Sequence, residues 1–356
     1  MSHSTHHHYV EKVSRVDTLG VASVASQLSL TTGTHQPDDS RSFDSLSSDS
    51  GAGGQTKSSV HRKIAVRRAE YFRIRKDIDQ RELTAFKIAN SLAKNRFGDI
   101  GCLDCSRVVL HYPTSEYIHA NYVASPRSSR RFICTQAPMD TTTADFWRMV
   151  VQEKVKTIIM LCDFFEQNLS KCALYFPVEK GQTLQFENFE IVNQDVSEIH
   201  ADEGTARYTI TVSTLRVKST SGANKVMHYF VRDWADRRAS SSRLICRLLT
   251  EVRSSDRPIV VHCSSGVGRS GTLITVEVIL EKLIAGEANV DAERVLQQIR
   301  RQRACAVSTE AQYLFVHRVI LHYLEAKKRL RKSLKPSVIK FYLDYDKFIA
   351  TSSKMK

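Results

Sequence analysis

The chain has 356 residues, of which 42% are hydrophobic, so it is long enough to bury one large core or two modest ones. Its eight cysteines are too sparse for a small disulfide-stapled scaffold. The formal net charge of +14 and pI of about 9.4 fit acidic phosphopeptides, anionic membranes or nucleic acid equally well. No aromatic-interleaved basic motif or zinc-finger spacing favours nucleic acid, so we expect no nucleic-acid partner.

The amino-terminal region, residues 1–59, is predicted to be a disordered tail. From Asp17 to Ser59 it is dense in Ser, Thr, Gly and Asp and holds few large apolar residues. It lacks the apolar stretch of a signal peptide, and no apolar run in the chain reaches transmembrane length. We therefore expect no stable membrane insertion.

From Val60 to Ala93 the pattern is helical and strongly charged, and predicts one or two helices at the edge of a domain. A polar turn follows at Asn95 to Asp99. Cys102 and Cys105 then form a C-x-x-C pair, which invites a zinc or redox interpretation. Because no second pair lies at a suitable spacing, we expect no metal site and no cofactor.

The middle of the chain predicts a sheet with helices between its strands. Alternating segments at Tyr117–Tyr122 and Phe132–Pro138 predict strands, Asp145–Val150 begins a helix, and Thr157–Cys162 predicts a buried strand. Alternation continues from Phe186 to Val217. This order of elements predicts an α/β domain with a mixed sheet flanked by helices.

The most informative stretch is Pro258 to Gly271. Ile259 to Val261 predict a short buried strand, followed by a loop of small residues and an apolar helix from Ser270 to Ala285 that ends at Gly286. Such a strand, loop and helix direct backbone N–H groups and a positive helix end at one point, which is an anion site. We expect Gly266 and Gly268 to adopt conformations that other residues avoid.

Two side chains give this anion site its chemistry. Cys263 begins the loop, where the positive end of the helix favours the nucleophilic thiolate. Arg269 ends it with a planar fork that can bind two oxygens of one anion. A nucleophile, an amide cradle and a bidentate cation together indicate phosphoryl transfer to cysteine.

A dinucleotide site is the rival interpretation, since Gly266, Gly268 and Gly271 also satisfy G-x-G-x-x-G after a strand. That site would need Asp291 at the tip of a second strand. The sequence around Asp291 instead predicts a connection in which Asp291 caps the next helix.

The run Val-His-Cys-x-x-Gly-x-Gly-Arg-Ser-Gly at Val261 to Gly271 resembles the signature of the protein tyrosine phosphatases. Similar motifs follow the family's order from about Arg62 to Leu330. His228 to Asp236 resembles His-x-x-x-x-x-Trp-Pro-Asp, and Ala306 to Tyr313 resembles Met-Val-Gln-Thr-x-x-Gln-Tyr. The resemblance implies the phosphatase fold, a phosphocysteine intermediate and phosphotyrosine-containing proteins as partners. Because a thiolate nucleophile suits a reducing compartment, we expect a cytoplasmic, alternatively nuclear, location.

The resemblance also implies a role for each matching residue. Cys263 would be the nucleophile, Arg269 and the loop of Ser264, Ser265, Gly266, Val267 and Gly268 would bind phosphate, and Asp236 would be the general acid. Ser270 would hydrogen-bond the departing thiolate, and Gln312 would assist hydrolysis unless it only caps its helix. The phosphotyrosine-recognition loop would contain Asn95, Phe97 and Asp99, with supporting roles for His262, Glu166, Lys171 and Trp234.

Several positions depart from the family's pattern. Phe97 replaces Tyr, His119 replaces Asn and Ala137 replaces Gly. In the later motifs Ala235 replaces Pro, residues 237–240 replace His-Gly-Val-Pro, and Ser308 replaces the first Gln. Ala235 lies in the loop of the acid, so we expect altered loop closure. Ser308 is too short to hold the hydrolytic water where Gln would. These departures leave open a second function, a phosphotyrosine-binding pseudophosphatase.

We therefore predict three regions: the tail 1–59, a catalytic domain over 60–332, and a basic carboxyl-terminal tail over 333–356. The domain should close with a helix from Glu310 to about Lys332, and the remainder should be loose. The basic run Lys327–Lys335 could make weak contact with an anionic membrane, carry a nuclear address, or be simply solvated.

Overall fold

The computed structural model describes residues 64–74, 78–91, 93–111, 116–232, 234–236, 240–287 and 290–354. The predicted tail over 1–59 lies outside the described residues. The helices in chain order are α1 (64–73), α2 (Thr84–Ser91), α3 (Thr143–Gln152), α4 (Ser242–Val252), α5 (Gly268–Ile284), α6 (Ala292–Arg300), α7 (Glu310–Ala326) and α8 (Lys335–Lys354).

The strands follow the alternating and buried segments of the sequence. They are β1 (Arg107–Val109), β2 (Tyr117–Ser125), β3 (Ser128–Thr135), β4 (Thr157–Met160), β5 (Phe165–Glu166), β6 (Leu169–Ser170), β7 (Thr183–Phe186), β8 (Phe189–Glu203), β9 (Ala206–Ser219), β10 (Gly222–Val231) and β11 (Ile259–His262). In the described chain, all but β5 and β6 form one mixed sheet in the order β1-β2-β3-β11-β4-β10-β9-β8-β7.

The centre of this sheet is parallel. β11 lies between β3 and β4, with Ile259 opposite both Phe132 and Thr157, and β10 runs parallel to β4 on the other side. Helices cover a parallel strand on both faces, so its residues are all buried and apolar rather than alternating. Ile259, Val260 and Val261 are accordingly inaccessible to solvent. The α/β architecture and the mixed sheet flanked by helices are as predicted.

Helix α5 continues directly from the loop after β11 and is buried over nearly its whole length. It packs against α7 and α6, so its apolar residues face neighbours on every side. Its two interior carboxylates have cationic partners: Glu277 is bonded by Arg253 at 2.6 Å, and Glu281 by Arg131 at 3.1 Å. The predicted stop is correct, because Gly286 follows the helix with φ +81°.

The carboxyl-terminal prediction was wrong in two respects. Helix α7 ends at Ala326 rather than near Lys332, and residues 335–354 form α8 instead of a loose tail. Val338, Phe341 and Tyr345 are buried in the main core, and Tyr342 Oη donates a 2.6 Å hydrogen bond to Glu325 Oε2 of α7. The prediction missed this helix because the lysines around its three apolar residues are typical of a solvated tail.

None of the described helices is long and apolar enough to cross a membrane.

Candidate active site

The loop from Cys263 to Arg269 is held from outside by its carbonyl groups. Ala137 N donates to Ser264 O at 3.0 Å, Arg303 bonds Ser265 O and Gly266 O, and Val307 N donates to Val267 O at 2.9 Å. In a trans peptide the C=O and the following N–H point in opposite directions. These outward carbonyls therefore direct the N–H groups of Ser265, Gly266, Val267 and Gly268 to the concave side, as an anion cradle requires.

Glycine is needed at two positions of this loop for different reasons. Gly266 has φ +67°, and a Cβ there would lie 2.1 Å from Thr135 O. Gly268 differs from the prediction, because it begins α5 without a positive φ. A Cβ on Gly268 would instead lie 3.0 Å from both Gln312 Nε2 and Ser308 Oγ. Close approach rather than backbone conformation requires a small residue there.

Arg269 is inaccessible to solvent and its guanidinium is fixed by Glu166. Nη1 donates to Glu166 Oε1 at 2.5 Å and Nη2 to Glu166 Oε2 at 3.1 Å, the bidentate pairing implied by the resemblance. Nη1 also donates to Trp234 O at 2.8 Å. Burial disfavours the charged form, but Cys263 and the bond to Glu166 outweigh it and raise the pKa of Arg269. The fork is charged and pre-oriented.

Asp236 lies beside this arginine. Its Oδ1 is 3.5 Å from Arg269 Nη2, and its Oδ2 is 3.9 Å from Lys171 Nζ. Lys171 follows the β5–β6 hairpin, which carries Glu166. The β5–β6 hairpin and the segment that contains Asp236 border an open cavity of about 510 Å³. Its lining includes Glu166, Lys171, Ala235 and Asp236. Folding thus brings the predicted acid to the predicted phosphate-binding arginine.

The predicted recognition loop is tied to the predicted phosphate-binding loop, Cys263 to Arg269, through Gln136. Gln136 Oε1 accepts from Arg96 N at 2.9 Å, and its Nε2 donates to Lys94 O at 2.9 Å. The next residue, Ala137, is the one that bonds Ser264 O. Ala137 is buried and has no positive φ, so the replacement of the family's Gly introduces no backbone strain there.

The three recognition residues differ in how they are used. Phe97 is 37% exposed and Asp99 is exposed, so both remain available to a ligand. The Asn95 side chain instead bonds Phe86 O, Asn90 Oδ1 and the Tyr117 hydroxyl within the fold. The prediction was that Asn95 binds the substrate. In the structure its side chain instead anchors the loop.

Cys263 is 2% exposed, at the end of β11, and the preceding His262 belongs to a buried network. Tyr175 Oη lies 2.7 Å from His262 Nε2 and 2.5 Å from His228 Nε2. Burial lowers the pKa of His262 to about 3 and also lowers the pKa of His228. Both imidazoles are therefore neutral behind the nucleophile, and they support β11 as polar core residues.

Several buried polar atoms around the loop have no hydrogen-bond partner among the described residues. They are Ser264 Oγ, Ser270 Oγ, Arg269 Nε and Gln312 Nε2. Such groups are costly to bury unless a ligand satisfies them. Their position at one anion cradle suits a tetrahedral oxyanion together with a sulfur nucleophile.

Gln312 has a structural role at its other end. Its Oε1 accepts from Thr309 N at 3.3 Å, and Thr309 Oγ1 accepts from Gln312 N at 3.2 Å, which completes the predicted capping box of α7. Its Nε2 remains beside Gly268. Capping and a position at the site therefore coexist in one residue.

Sequence reasoning missed Arg303 and His119 as parts of the site. Arg303 is inaccessible to solvent and bonds Ser265 O, Gly266 O and Asn121 Oδ1. Its Nη1 also meets His119 Nδ1 at 3.1 Å, while His119 Nε2 lies 2.8 Å from Ile100 O. Burial, reinforced by Arg303, lowers the pKa of His119 to about 3. A neutral His119 thus connects the recognition loop to the brace of the phosphate-binding loop.

The geometry contradicts the rival dinucleotide site. Asp291 caps α6, with its side chain accepting from Glu293 N at 2.9 Å, so it is not at the tip of a second nucleotide-binding strand. Cys102 is buried beside Asn121, whereas Cys105 is exposed beside Arg301 O. In the part of the chain that the structure describes, no group of three His, Cys, Asp or Glu side chains is placed to hold a metal ion.

Comparison with known proteins agrees with the fold. The protein-tyrosine phosphatase family model matches residues 91–322, and the chain belongs to that family. Human receptor-type tyrosine-protein phosphatase eta is 33% identical over 68% of this chain. Rat tyrosine-protein phosphatase non-receptor type 9 is 32% identical over 66% of it. These matches span 18% and 42% of the relatives' own lengths.

A solved structure shares the architecture. That structure concerns the structural basis of the PTPN18 fingerprint on distinct HER2 tyrosine phosphorylation sites. The TM-score is 0.63 at 28% identity, covering 75% of this chain and 98% of that one. Both receptor and non-receptor phosphatases are therefore among the relatives, and they share the domain described here.

Proposed function

We propose that this protein hydrolyses phosphotyrosine in other proteins through a phosphocysteine intermediate. The observation that carries the proposal is the convergence of buried polar groups and the Glu166-bound Arg269 fork on the loop that begins at Cys263. Phosphoryl transfer needs positioning and charge stabilisation above all, and preorganised donors supply both.

In the first step, Cys263 Sγ attacks phosphorus and the bond from phosphorus to the tyrosine oxygen breaks. Asp236 donates a proton to that oxygen, which leaves as neutral tyrosine. General acids of this kind contribute ~10²–10⁴ in rate. Arg269 and the loop N–H groups bind the phosphoryl oxygens throughout.

In the second step, a water oxygen attacks the phosphorus of phosphocysteine, and the Asp236 carboxylate takes the proton of that water. The sulfur–phosphorus bond breaks, releasing phosphate and the Cys263 thiolate, which Ser270 Oγ stabilises. Gln312 Nε2, beside Gly268, is the remaining amide donor that can orient the water.

The substrate class follows from the recognition loop. An aromatic face at Phe97 can stack on a phosphophenyl ring, and Asp99 can accept from the substrate backbone. A phosphate at the end of a long aromatic arm can reach the buried loop, whereas phosphoserine is too short. We propose phosphotyrosine-containing proteins as partners and a cytoplasmic location, with a nuclear location as the alternative.

A phosphotyrosine-binding pseudophosphatase is the second candidate. It is favoured by Ala235 and Ser308, which replace the Pro and Gln of the family's motifs in the acid loop and beside Gly268. Such a protein would bind phosphotyrosine with the same loop and turn it over slowly or not at all.

One experiment separates the two functions. Turnover of p-nitrophenyl phosphate and of a phosphotyrosine peptide is measured for wild type, Cys263→Ser and Asp236→Ala, with rapid-mixing burst kinetics. An enzyme loses turnover completely in Cys263→Ser and by ~10²–10⁴ in Asp236→Ala. Wild-type turnover equal to that of Cys263→Ser, with peptide binding retained, would instead establish the binding module.

A further inference from the structure

Helix α8 has a second face that the domain does not use. Val338, Phe341 and Tyr345 are buried against the core, whereas Ile339 and Leu343 are 56% and 65% exposed. Ile339 and Leu343 are four residues apart and so lie one above the other on the same side. Large apolar side chains on the outer face of an otherwise packed helix indicate contact with something beyond the domain.

These two residues belong to a regular row along the helix. Lys335 lies four residues before Ile339, and Lys347 lies four residues after Leu343, and all four side chains are exposed. Lysines at both ends of an apolar row can extend their ammonium groups away from it while their methylene stems cover apolar surface. This row, from here on the α8 row, is Lys335, Ile339, Leu343 and Lys347.

The charge around the α8 row is strongly positive. From Lys327 to the end of the chain there are ten Lys and Arg residues and two aspartates. The exposed aspartate, Asp346, is bonded by Arg318 at 2.7 Å, which compensates its charge. Lys328, Arg331 and Lys332, just before α8, are exposed as well. An anionic partner is therefore complementary to this face.

We propose that the α8 row is a peripheral docking face for an anionic lipid bilayer. Ile339 and Leu343 enter the headgroup region, while Lys335, Lys347 and the preceding basic run contact the lipid phosphates. A second copy of the chain would bring like-charged rows together. A stable protein partner needs a larger interface than two apolar side chains, roughly 1,200 Å² or more in total. An anionic bilayer has the opposite charge to the row, and it does not need an extended protein interface.

The test uses the full chain and sedimentation with vesicles of phosphatidylcholine alone or with about a third phosphatidylserine. We expect binding to the anionic vesicles that weakens at least 10-fold between 50 and 300 mM salt, because the contacts with phosphates are screened. Ile339→Asp/Leu343→Asp should lose at least 10-fold in binding, as should Lys335→Gln/Lys347→Gln.

The matched control is Ile88→Asp on α2, where the isoleucine is 62% exposed, comparable to Ile339. It makes one of the two changes to Asp elsewhere on the surface and should bind vesicles as wild type does. Thermal unfolding of every variant verifies that the exposed substitutions leave the fold intact.

Three results would overturn the proposal. They are equal binding to neutral and anionic vesicles, wild-type binding by Ile339→Asp/Leu343→Asp, and an equal loss in Ile88→Asp. Sedimentation equilibrium showing a dimer that Leu343→Asp dissociates would also overturn it, in favour of self-association. None of these readouts depends on catalysis, so the outcome is independent of the proposed phosphatase activity.

Discussion

At the scale of single residues, the site depends on buried charges and dipoles held by neighbours that make no contact with the reacting atoms. Glu166 and the carbonyl of Trp234 fix the plane of Arg269, and Arg303 fixes the carbonyls of the phosphate-binding loop. Each buried charge in this network needs its hydrogen-bond partner, because an unpaired buried charge costs several kcal/mol. His119 extends this chain of bonds to Ile100, next to Asp99, which is predicted to bind the substrate backbone.

His119→Ala should therefore lower kcat/KM for a phosphotyrosine peptide by about 10-fold, the effect of losing a buried hydrogen bond. A rise in KM should contribute more for the peptide than for p-nitrophenyl phosphate, which is too small to use the recognition loop. His119→Asn, which restores the family's residue, should recover part of the loss. His200→Ala on an exposed strand is the control, and equal effects in both variants would contradict a positioning role.

Ser308→Gln tests the weakest point of the proposed chemistry. A longer amide beside Gly268 should hold the water that hydrolyses phosphocysteine, so the steady-state rate should rise relative to the burst. Rapid-mixing kinetics measure both phases in the same trace. An unchanged ratio, with the fold intact by circular dichroism, would mean that hydrolysis of the intermediate does not limit wild type.

At the scale of elements, the turn between α6 and α7 supports the start of α5. Val307 has φ +60°, which is rare for a β-branched residue and needs fixation by its surroundings. Its N–H bonds Val267 O, and its carbonyl accepts from Arg300 Nη2 and Tyr71 Oη. The capping box of Thr309 and Gln312 then begins α7, so one short segment sets the position of two helices and the loop.

Thr309→Ala should lower the free energy of unfolding by about 1 kcal/mol, because it removes the side-chain acceptor of the helix cap. Thr309→Ser retains that acceptor and should remain close to wild type. Urea unfolding followed by circular dichroism measures both. Equal stability of the Ala and Ser variants would show that the capping bond contributes nothing measurable.

At the scale of the whole molecule, the core of the described chain holds four buried histidines. Burial lowers the pKa of His119 and His262 to about 3 and lowers the pKa of His228 and His317 as well. An unfolded histidine takes up a proton below about pH 6.5, whereas these folded ones do not. The unfolded state then binds more protons, so stability decreases as the pH falls below about 6.5.

We expect the free energy of unfolding to decrease from pH 7 to pH 5, by up to about 2 kcal/mol for each histidine. His317 is the cleanest test, because neither ring nitrogen has a hydrogen-bond partner among the described residues. His317→Leu should reduce the slope of the free energy of unfolding against pH by the amount that corresponds to about one proton. Urea unfolding across this range measures the slope, and a slope identical to wild type would refute the assignment for His317.

Much of the candidate site could be predicted from short-range sequence. Cys263, Gly266 and Arg269 lie within one strand–loop–helix segment, and the constraints that relate them are local. Local rules also predicted the end of α5 at Gly286, the cap at Asp291 and the capping box at Thr309. They could not find the roles of Arg303 or His119, which act on residues distant along the chain. They also did not indicate that the Asn95 side chain is hydrogen-bonded within the fold.

The sequence by itself determined the alternation of strands and helices and the position of the loop between β11 and α5, because neighbouring residues set backbone geometry. It also predicts the nucleophile and the cation of that loop. Only the tertiary structure decided which partners complete the site and whether the carboxyl-terminal segment is loose or packed. Burial is a property of the assembled chain. The same lysine-rich segment is a solvated tail or a helix depending on whether Val338, Phe341 and Tyr345 find a surface to cover.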